Sequence, residues 1–145
     1  MTTPPSPPRM SSSKVRLRWT GQGLIFVGGA EGGPEITTES GGGAGPSPTQ
    51  LLLLSLAGCM GVDLRMILEK SRVPVQTLEV EVDGDRVEEP PRRFTSIRLT
   101  YRLSGPGEED QPKLERAVQL STEKYCSVLH TLRPDLDLDV RIERV

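Results

Sequence analysis

The feature that most constrains this chain is an apolar stretch from Leu51 to about Leu68, which has the marks of a helix buried on most sides. A capping box precedes it, with Ser47 at the N-cap, Pro48 at the first helical position and Gln50 reaching back to the cap. Nearly every following position is apolar or small, so the helix leaves no broad polar face for water. A sheet can bury only one side of such a helix. In a homodimer, the same helix of a second copy would bury the other side.

Strand patterns lie on both sides of this helix. Alternating apolar and polar residues predict a hairpin over residues 14–28, a short strand near 35–38, two antiparallel neighbours over 78–85 (with a bend or bulge at 83–85) and 97–103, and a last strand over 136–143. A 3.6-residue spacing predicts a second helix from near Pro112 to Leu129. The order β-β-β-α-β-β-α-β indicates an α+β fold, with helices packed on an antiparallel or mixed sheet.

The length and the N-terminus bound the domain organisation. A chain of 145 residues corresponds to one domain. Residues 1–13 are rich in proline and serine and predict a disordered tail, which leaves 14–145 as a single domain. The same residues lack the apolar core of a signal peptide, so we expect a cytoplasmic protein, in which thiols are kept reduced.

Composition argues against several function classes. The chain has 20 acidic and 18 basic residues and only 3% aromatic residues, which does not fit a nucleic-acid surface. The longest apolar run, Leu51–Val62, is too short for a bilayer and ends at Asp63, so we expect no membrane partner. His130 is the only histidine and fits the end of a helix. We therefore expect no metal and no cofactor.

The remaining chemistry rests on two cysteines, Cys59 in the apolar helix and Cys126 in the second helix. A cysteine becomes reactive when a helix N-terminus or a cation lowers its pKa, and Arg16, Arg18 and Arg65 are candidate cations. A disulfide requires Cα atoms within roughly 4.4–6.8 Å, which two helices side by side can provide. The residues alone leave open a redox pair or two buried structural thiols.

Two glycines, Gly58 and Gly61, bracket Cys59. Glycine in a helix interior costs roughly 1 kcal/mol relative to alanine, so its presence needs a reason. The pair predicts either close packing against another helix or a helix break that leaves Cys59 near a helix start.

Several segments carry a family resemblance. They are Val15-Arg-Leu-Arg-Trp19, Ser47-Pro-Thr-Gln-Leu51, Ala57-Gly-Cys-Met-Gly-Val-Asp63, Arg92-Arg-Phe-Thr-Ser-Ile97 and Glu123-Lys-Tyr-Cys-Ser-Val128. Over residues 14–145 the chain resembles the OsmC/Ohr family, and within it the branch of YhfA-type OsmC-like proteins. The resemblance implies a two-layer α+β fold in an intertwined homodimer, with long central helices packed between the sheets of the two subunits.

The resemblance also implies a chemistry, since typical members of the family are thiol peroxidases. It makes Cys59 the peroxidatic thiol, which attacks a hydroperoxide and becomes a sulfenic acid, and Cys126 the resolving thiol that condenses with it to a disulfide. A dihydrolipoyl group or another thiol would reduce the disulfide. The apolar helix around Cys59 favours organic hydroperoxides, with Leu54, Met60 and Val62 expected to line an apolar pocket.

This sequence departs from the family pattern at two charged positions. Typical members carry a glutamate just after the dipeptide that starts the helix and an arginine after the first hairpin's Gly-Gly. The matching positions here are Thr49, with Gln50 beside it, and Gln22. Arg16 or Arg18 would then have to support the thiolate, and Gln50 also has its capping role. An alternative is a non-peroxidase member that senses redox state or binds a small apolar ligand at the dimer interface; a third is that the cysteine pair is vestigial.

Overall fold

The computed structural model describes all 145 residues, and the chain divides into two units, Met1–Pro48 and Thr49–Val145. The helices and strands are β1 (Val15–Trp19), β2 (Ile25–Ala30), β3 (Ile36–Glu39), α1 (Pro48–Lys70), β4 (Thr77–Arg86), β5 (Phe94–Ser104), α2 (Gln111–Leu120), α3 (Ser127–Thr131) and β6 (Asp137–Arg144). This order confirms the predicted β-β-β-α-β-β-α-β, with the short α3 added after α2. The disordered tail and the single domain over 14–145 stay predictions.

The first unit is an antiparallel sheet in the order β1-β2-β3. Val15 pairs with Ala30 at one end of the hairpin, and Trp19 pairs with Phe26 at the other. The predicted hairpin is confirmed; all five residues of β1 are exposed, whereas most of β2 is partly buried. Within this unit no helix is available to cover the apolar side of the sheet.

The second unit holds a separate sheet in the order β4-β5-β6. The strands β4 and β5 are antiparallel, as predicted, and their register shifts between Asp85 and Arg86, beside the predicted bulge. The last strand, β6, runs parallel to β5. A parallel pair needs a crossover connection, which α2 and α3 supply here. The strands thus form two sheets rather than the one that the element order suggested.

The core of the second unit lies between α1 and β5. On α1 the buried residues recur every four positions, which places them on one helix face; they are Leu56, Met60, Leu64 and Leu68. On β5 the buried residues alternate, as the strand period requires; they are Ile97, Leu99, Tyr101 and Leu103. Burying each leucine or methionine side chain contributes about 1.5–3 kcal/mol. This packing fixes α1 on the sheet.

Away from its buried face, α1 also exposes several large apolar side chains. Leu52, Leu54, Val62 and Met66 are each at least 36% exposed. By length and composition α1 could cross a membrane, although a single such helix is weak evidence because core helices of water-soluble proteins meet the same test. As predicted, the folded chain alone does not bury all the apolar residues of this helix.

Helix α1 runs without interruption past both of its central glycines. A Cβ atom on Gly61 would stand 3.2 Å from Cγ2 of Val80 in β4, whereas Gly58 faces open space. The expected break is therefore absent, and Gly61 allows close approach to a strand rather than to a helix.

Candidate active site

The fold brings the two cysteines together. Cys59 lies in the middle of α1, and Asp63 follows one turn later on the same face. The two sulfur atoms and a carboxylate oxygen of Asp63 all lie within 4.8 Å of one another. Cys59 is partly buried, Cys126 is fully buried, and both thiols are free. A disulfide between them requires the sulfurs to approach to about 2.05 Å.

Cys126 stands at a break in the second helical segment, so the predicted continuous helix to Leu129 is wrong. After α2 ends at Leu120, a π-helical turn carries the chain from Ser121 to Tyr125. The Cys126 N–H donates to the Ser121 carbonyl oxygen at 2.9 Å, an i to i+5 bond. Such a turn accommodates an extra residue, so the following side chains are rotated by roughly 100° relative to an α-helix.

The extended backbone of Cys126 makes it the N-cap of α3, with φ −72° and ψ 99°. Its sulfur accepts a hydrogen bond from the N–H of Leu129 at 3.4 Å. The break therefore both buries the Cys126 thiol and begins a new helix. His130 lies near the end of this helix, which confirms its predicted place.

Cys59 faces the beginning of α3. Its Sγ lies 3.7 Å from Oγ of Ser127. Burial raises the pKa of the Cys59 thiol, but the N–H of Val128, the Cys126 thiol, and the hydroxyl and N–H of Ser127 all lower it, so its pKa lies below the usual range. Hydrogen-bond donors thus lower the pKa of Cys59, where the sequence predicted a cation to do so.

Cys126 is shifted in the opposite direction. Burial raises the pKa of its thiol to about 11; the N–H of Leu129 offsets part of the rise, and the negative charges of Cys59 and Asp63 add to it. The two cysteines therefore divide the roles: Cys59 becomes a thiolate at a lower pH than Cys126, which remains a thiol near neutral pH and donates to Cys59.

A buried polar network adjoins the pair. The Ser121 hydroxyl donates to Oδ2 of Asp63 at 2.8 Å. The Tyr101 hydroxyl donates to the Met60 carbonyl oxygen at 3.1 Å. Burial raises the pKa of Tyr101, and the charges of both cysteines and of Asp63 raise it further. Sequence reasoning missed this network, although Asp63 follows Cys59 by one helical turn and Tyr101 is on the apolar side of β5.

The predicted supporting arginines lie in the first unit, on β1. Arg18 forms a salt bridge with Glu35 at 2.8 Å, and this exposed pair raises the pKa of Arg18 through its hydrogen bond and charge. Arg16 and Arg18 both line a surface cavity of about 240 Å³ with Glu35. Their role beside Cys59 stays a prediction.

The positions that match the family's charged pair are polar here. Thr49 and Gln50 occupy the first turn of α1. Gln22 lies in the β1–β2 turn, where its N–H donates to Oγ1 of Thr20 at 3.3 Å. Supporting roles for Thr49 and Gln50 stay predictions, as does the capping box.

The cysteine pair and Asp63 also form a potential metal-ligand set. Two sulfurs and one carboxylate oxygen within 4.8 Å of one another suit a thiophilic cation such as Zn²⁺, with its fourth position open. The expectation of no metal and no cofactor stays a prediction.

Known proteins share this arrangement of helices and strands. Residues 41–141 match the family described as OsmC-like protein. The chain is 39% identical to Protein YhfA of Escherichia coli strain K12 over 116 residues, which cover 79% of this chain and 85% of that protein. Among solved structures, a hypothetical protein from Aquifex aeolicus VF5 is 34% identical with a TM-score of 0.82, covering 94% of this chain and 98% of that one.

A more distant structure has a functional name. It is an organic hydroperoxide resistance protein OsmC from Legionella pneumophila, 14% identical with a TM-score of 0.68, covering 94% of this chain and 99% of that one. At that identity the likeness shows the fold alone. Together these similarities confirm the predicted α+β, OsmC-like fold class.

Proposed function

Because this chain belongs to the OsmC-like protein family, we propose that it is a cytoplasmic, thiol-dependent peroxidase that reduces organic hydroperoxides in oxidative-stress defence. The observation that carries the proposal is the placement of two free thiols within 4.8 Å, with the pKa of Cys59 lowered and that of Cys126 raised. The name of the Legionella pneumophila relative, an organic hydroperoxide resistance protein, supports the choice of substrate.

The reaction follows from the opposite pKa shifts of the pair, which make Cys59 the thiol that ionises first. The Cys59 thiolate attacks one oxygen of the O–O bond; that bond breaks, the hydroperoxide is reduced to an alcohol after taking up a proton, and Cys59 is oxidised to a sulfenic acid. Cys126 then attacks the Cys59 sulfur, the S–S bond forms, the S–O bond breaks and water leaves. A dihydrolipoyl dithiol or another thiol reduces the disulfide and is itself oxidised.

The apolar surroundings of Cys59 favour an organic substrate over hydrogen peroxide. Leu54 and Val62 are both more than half exposed on α1 and remain candidates for the substrate pocket. Met60 does not, because its side chain is fully buried in the core between α1 and β5. The predicted role of Met60 in a pocket is therefore wrong.

A homodimer is part of the proposal. The apolar face of α1 formed by Leu52, Leu54, Val62 and Met66 is exposed in the single chain. Exposed apolar surface of this kind marks an interaction site. A second copy of the same helix would bury it with an identical, self-complementary patch.

The decisive experiment follows the consumption of tert-butyl hydroperoxide with a dihydrolipoyl reductant. The wild type is expected to turn over, Cys59→Ser to show only the background rate, and Cys126→Ser to form a sulfenic acid without forming the internal disulfide. Equal background rates in all three proteins would overturn the proposal.

A second candidate function, binding of a small apolar ligand, is favoured by a cavity of about 250 Å³ in the second unit. Its lining combines apolar residues, among them Leu52, Phe94 and Leu136, with arginines. One of these, Arg93, has a buried Nη1 without a hydrogen-bond partner. Thiolate absorbance separates the two functions: a Cys59 pKa near the ordinary ~8.5 favours ligand binding, and a clearly lower one favours catalysis.

A further inference from the structure

The two cysteines and Asp63 bring three metal-binding atoms together in the second unit. Cys59 and Asp63 are four residues apart on one face of α1, a spacing at which two helix side chains can bind the same ion. Cys126 joins them from the N-cap of α3, and the three ligand atoms all lie within 4.8 Å of one another. Two sulfurs on one zinc ion stand roughly 3.8 Å apart, since each Zn–S bond is about 2.3 Å. The three atoms are therefore near the spacing that a bound ion requires.

Each of these three ligands also has a hydrogen-bonding partner outside the set. The partners are the Leu129 N–H for the Cys126 sulfur (3.4 Å), the Ser127 hydroxyl for the Cys59 sulfur (3.7 Å) and the Ser121 hydroxyl for Oδ2 of Asp63 (2.8 Å). Such outer partners orient metal ligands and are a regular part of metal sites. A carboxylate has about four lone-pair sites, so the bond from Ser121 leaves the carboxylate of Asp63 able to bind an ion.

The composition of the set selects a thiophilic ion. Thiolate ligands suit Zn²⁺, whereas Mg²⁺ and Ca²⁺ are bound through oxygen ligands. Two sulfurs and one carboxylate oxygen leave the fourth tetrahedral position of zinc for water or another ligand. An ion can reach the set from solvent, because Cys59 is only partly buried and Asp63 lines a surface cavity of about 220 Å³.

We propose that Cys59, Asp63 and Cys126 bind Zn²⁺ while the cysteines are reduced, and that closing the disulfide releases the ion. The binding itself rests on the placement of the three side chains. Its consequence for catalysis rests on the proposed function of the pair. Zinc bound to Cys59 shares the electron pair with which this sulfur attacks a hydroperoxide, so the bound ion inhibits the reaction. The ion is thus a regulator and not a cofactor of the peroxidase.

Release of the ion follows from the chemistry of disulfide formation. Each sulfur gives up one electron, the S–S bond forms, and neither sulfur remains a thiolate. The hydroperoxide accepts the two electrons and, with two protons from solvent, becomes an alcohol and water. Of the three ligands only the Asp63 carboxylate is then left, and the thiolates that selected Zn²⁺ are gone. Bound zinc would therefore report the redox state of the pair.

The first experiment titrates the reduced, full-length protein with Co²⁺, a spectroscopic substitute for zinc. Cobalt bound to thiolates gives a strong charge-transfer absorption in the near ultraviolet, which neither imidazole nor carboxylate ligands produce. The band should saturate at one ion per chain and disappear when Zn²⁺ is added. His130→Gln is the control for adventitious binding, because His130 is the only histidine, and it should leave the titration unchanged.

Variants of the ligands and of their partners test the geometry. Competition with a chromogenic chelator measures the affinity for Zn²⁺, and circular dichroism verifies that each variant is folded. Cys126→Ser should lose tight binding, since one thiolate remains. Ser121→Ala, which removes only the partner of Asp63, should weaken binding about tenfold, and Asp63→Asn should weaken it further. Glu69→Gln, the same change at an exposed position of α1, should bind zinc as the wild type does.

The release is tested with a disulfide formed by diamide, an oxidant that acts on thiols without peroxide chemistry. The oxidised protein should retain no Zn²⁺ on gel filtration, and reduction with a phosphine should restore binding. A reduced wild type without the cobalt–thiolate band would overturn the proposal, as would equal zinc affinities of the reduced and disulfide forms.

The same samples separate this proposal from the peroxidase function. A protein that binds zinc only when reduced but does not consume tert-butyl hydroperoxide would support the zinc site and remove the peroxidase function. Consumption of hydroperoxide at the same rate with and without saturating Zn²⁺ would overturn the inhibition. Slower consumption with Zn²⁺, restored by a chelator, is the expected result.

Discussion

The Tyr101 hydroxyl donates a hydrogen bond of 3.1 Å to the carbonyl oxygen of Met60, joining the central strand of the second sheet to the helix that carries Cys59. Both residues are fully buried. Met60 directly follows Cys59 in the chain, so this bond fixes α1 on the sheet at the position where the reactive sulfur stands.

Replacing Tyr101 with phenylalanine should lower the free energy of unfolding by about 0.5–1.5 kcal/mol, the usual net contribution of a buried hydrogen bond. The ring and its packing are retained, so the loss reports the hydroxyl. Urea denaturation at pH 7 measures it. Tyr125→Phe is the matched control, because Tyr125 is 50% exposed, and its change should be near zero. Equal stability of the two variants would contradict a contribution from the Tyr101–Met60 bond.

The two thiols should differ strongly in their reaction with iodoacetamide. Since the pKa of Cys59 is lowered, its labelling rate should level off at a lower pH than that of an ordinary cysteine. Since the pKa of Cys126 is about 11, its rate should keep rising about tenfold per pH unit toward that value. Peptide mass spectrometry of the reduced wild type measures both rates at once. Equal labelling of the two cysteines at pH 7 would contradict the assignment of attacker and resolver.

Ser127 should sustain part of the reactivity of Cys59. Its hydroxyl lies 3.7 Å from the Cys59 sulfur and lowers the pKa of that thiol. In Ser127→Ala the pKa should rise toward its ordinary value, and alkylation of Cys59 at pH 7 should slow about two- to fivefold, since a factor of three corresponds to half a pKa unit. The control is Ser55→Ala on α1, whose hydroxyl donates to the Leu52 carbonyl oxygen instead. The same rate in both variants would rule out the hydroxyl as a cause.

Much of the fold could be predicted from sequence because its periodicities are local. The alternation around Leu99 gave a strand, and the apolar run after Pro48 gave a helix whose exposed face still needs a cover. The division into two sheets and the parallel placement of β6 could not be predicted in this way. They depend on pairings between residues distant in the chain, such as Leu99 with Val140.

Of the candidate site, only the two cysteines could be predicted from the sequence. The family motifs identified Cys59 and Cys126. The apolar residues around position 126 keep a 3.6-residue spacing, so the sequence gives no sign of the π-helical turn that rotates Cys126 toward α1. The donors that lower the pKa of Cys59 are partly backbone N–H groups, including that of Val128, and such groups have no sequence signature. The groups that the sequence suggested for lowering the pKa of Cys59 were therefore cations, whereas in the structure hydrogen bonds lower it.

The exposed apolar face of α1 leads to the last prediction, on oligomeric state. Leu54 and Val62 are 58% and 57% exposed on this helix. If a second copy covers them, a buried glutamate at either position has no partner and is strongly disfavoured in the interface. Leu54→Glu should therefore shift sedimentation equilibrium from dimer toward monomer, with the dissociation constant raised at least about a hundredfold for a cost near 3 kcal/mol.

The matched control is Val87→Glu, which introduces the same charge at an apolar residue that is 45% exposed and follows β4 instead of lying on α1. It should leave the sedimentation behaviour unchanged, because its glutamate stays in water in both states. A wild type that sediments as a monomer, or a Leu54→Glu variant that remains as dimeric as Val87→Glu, would show that another surface or no second copy covers this helix.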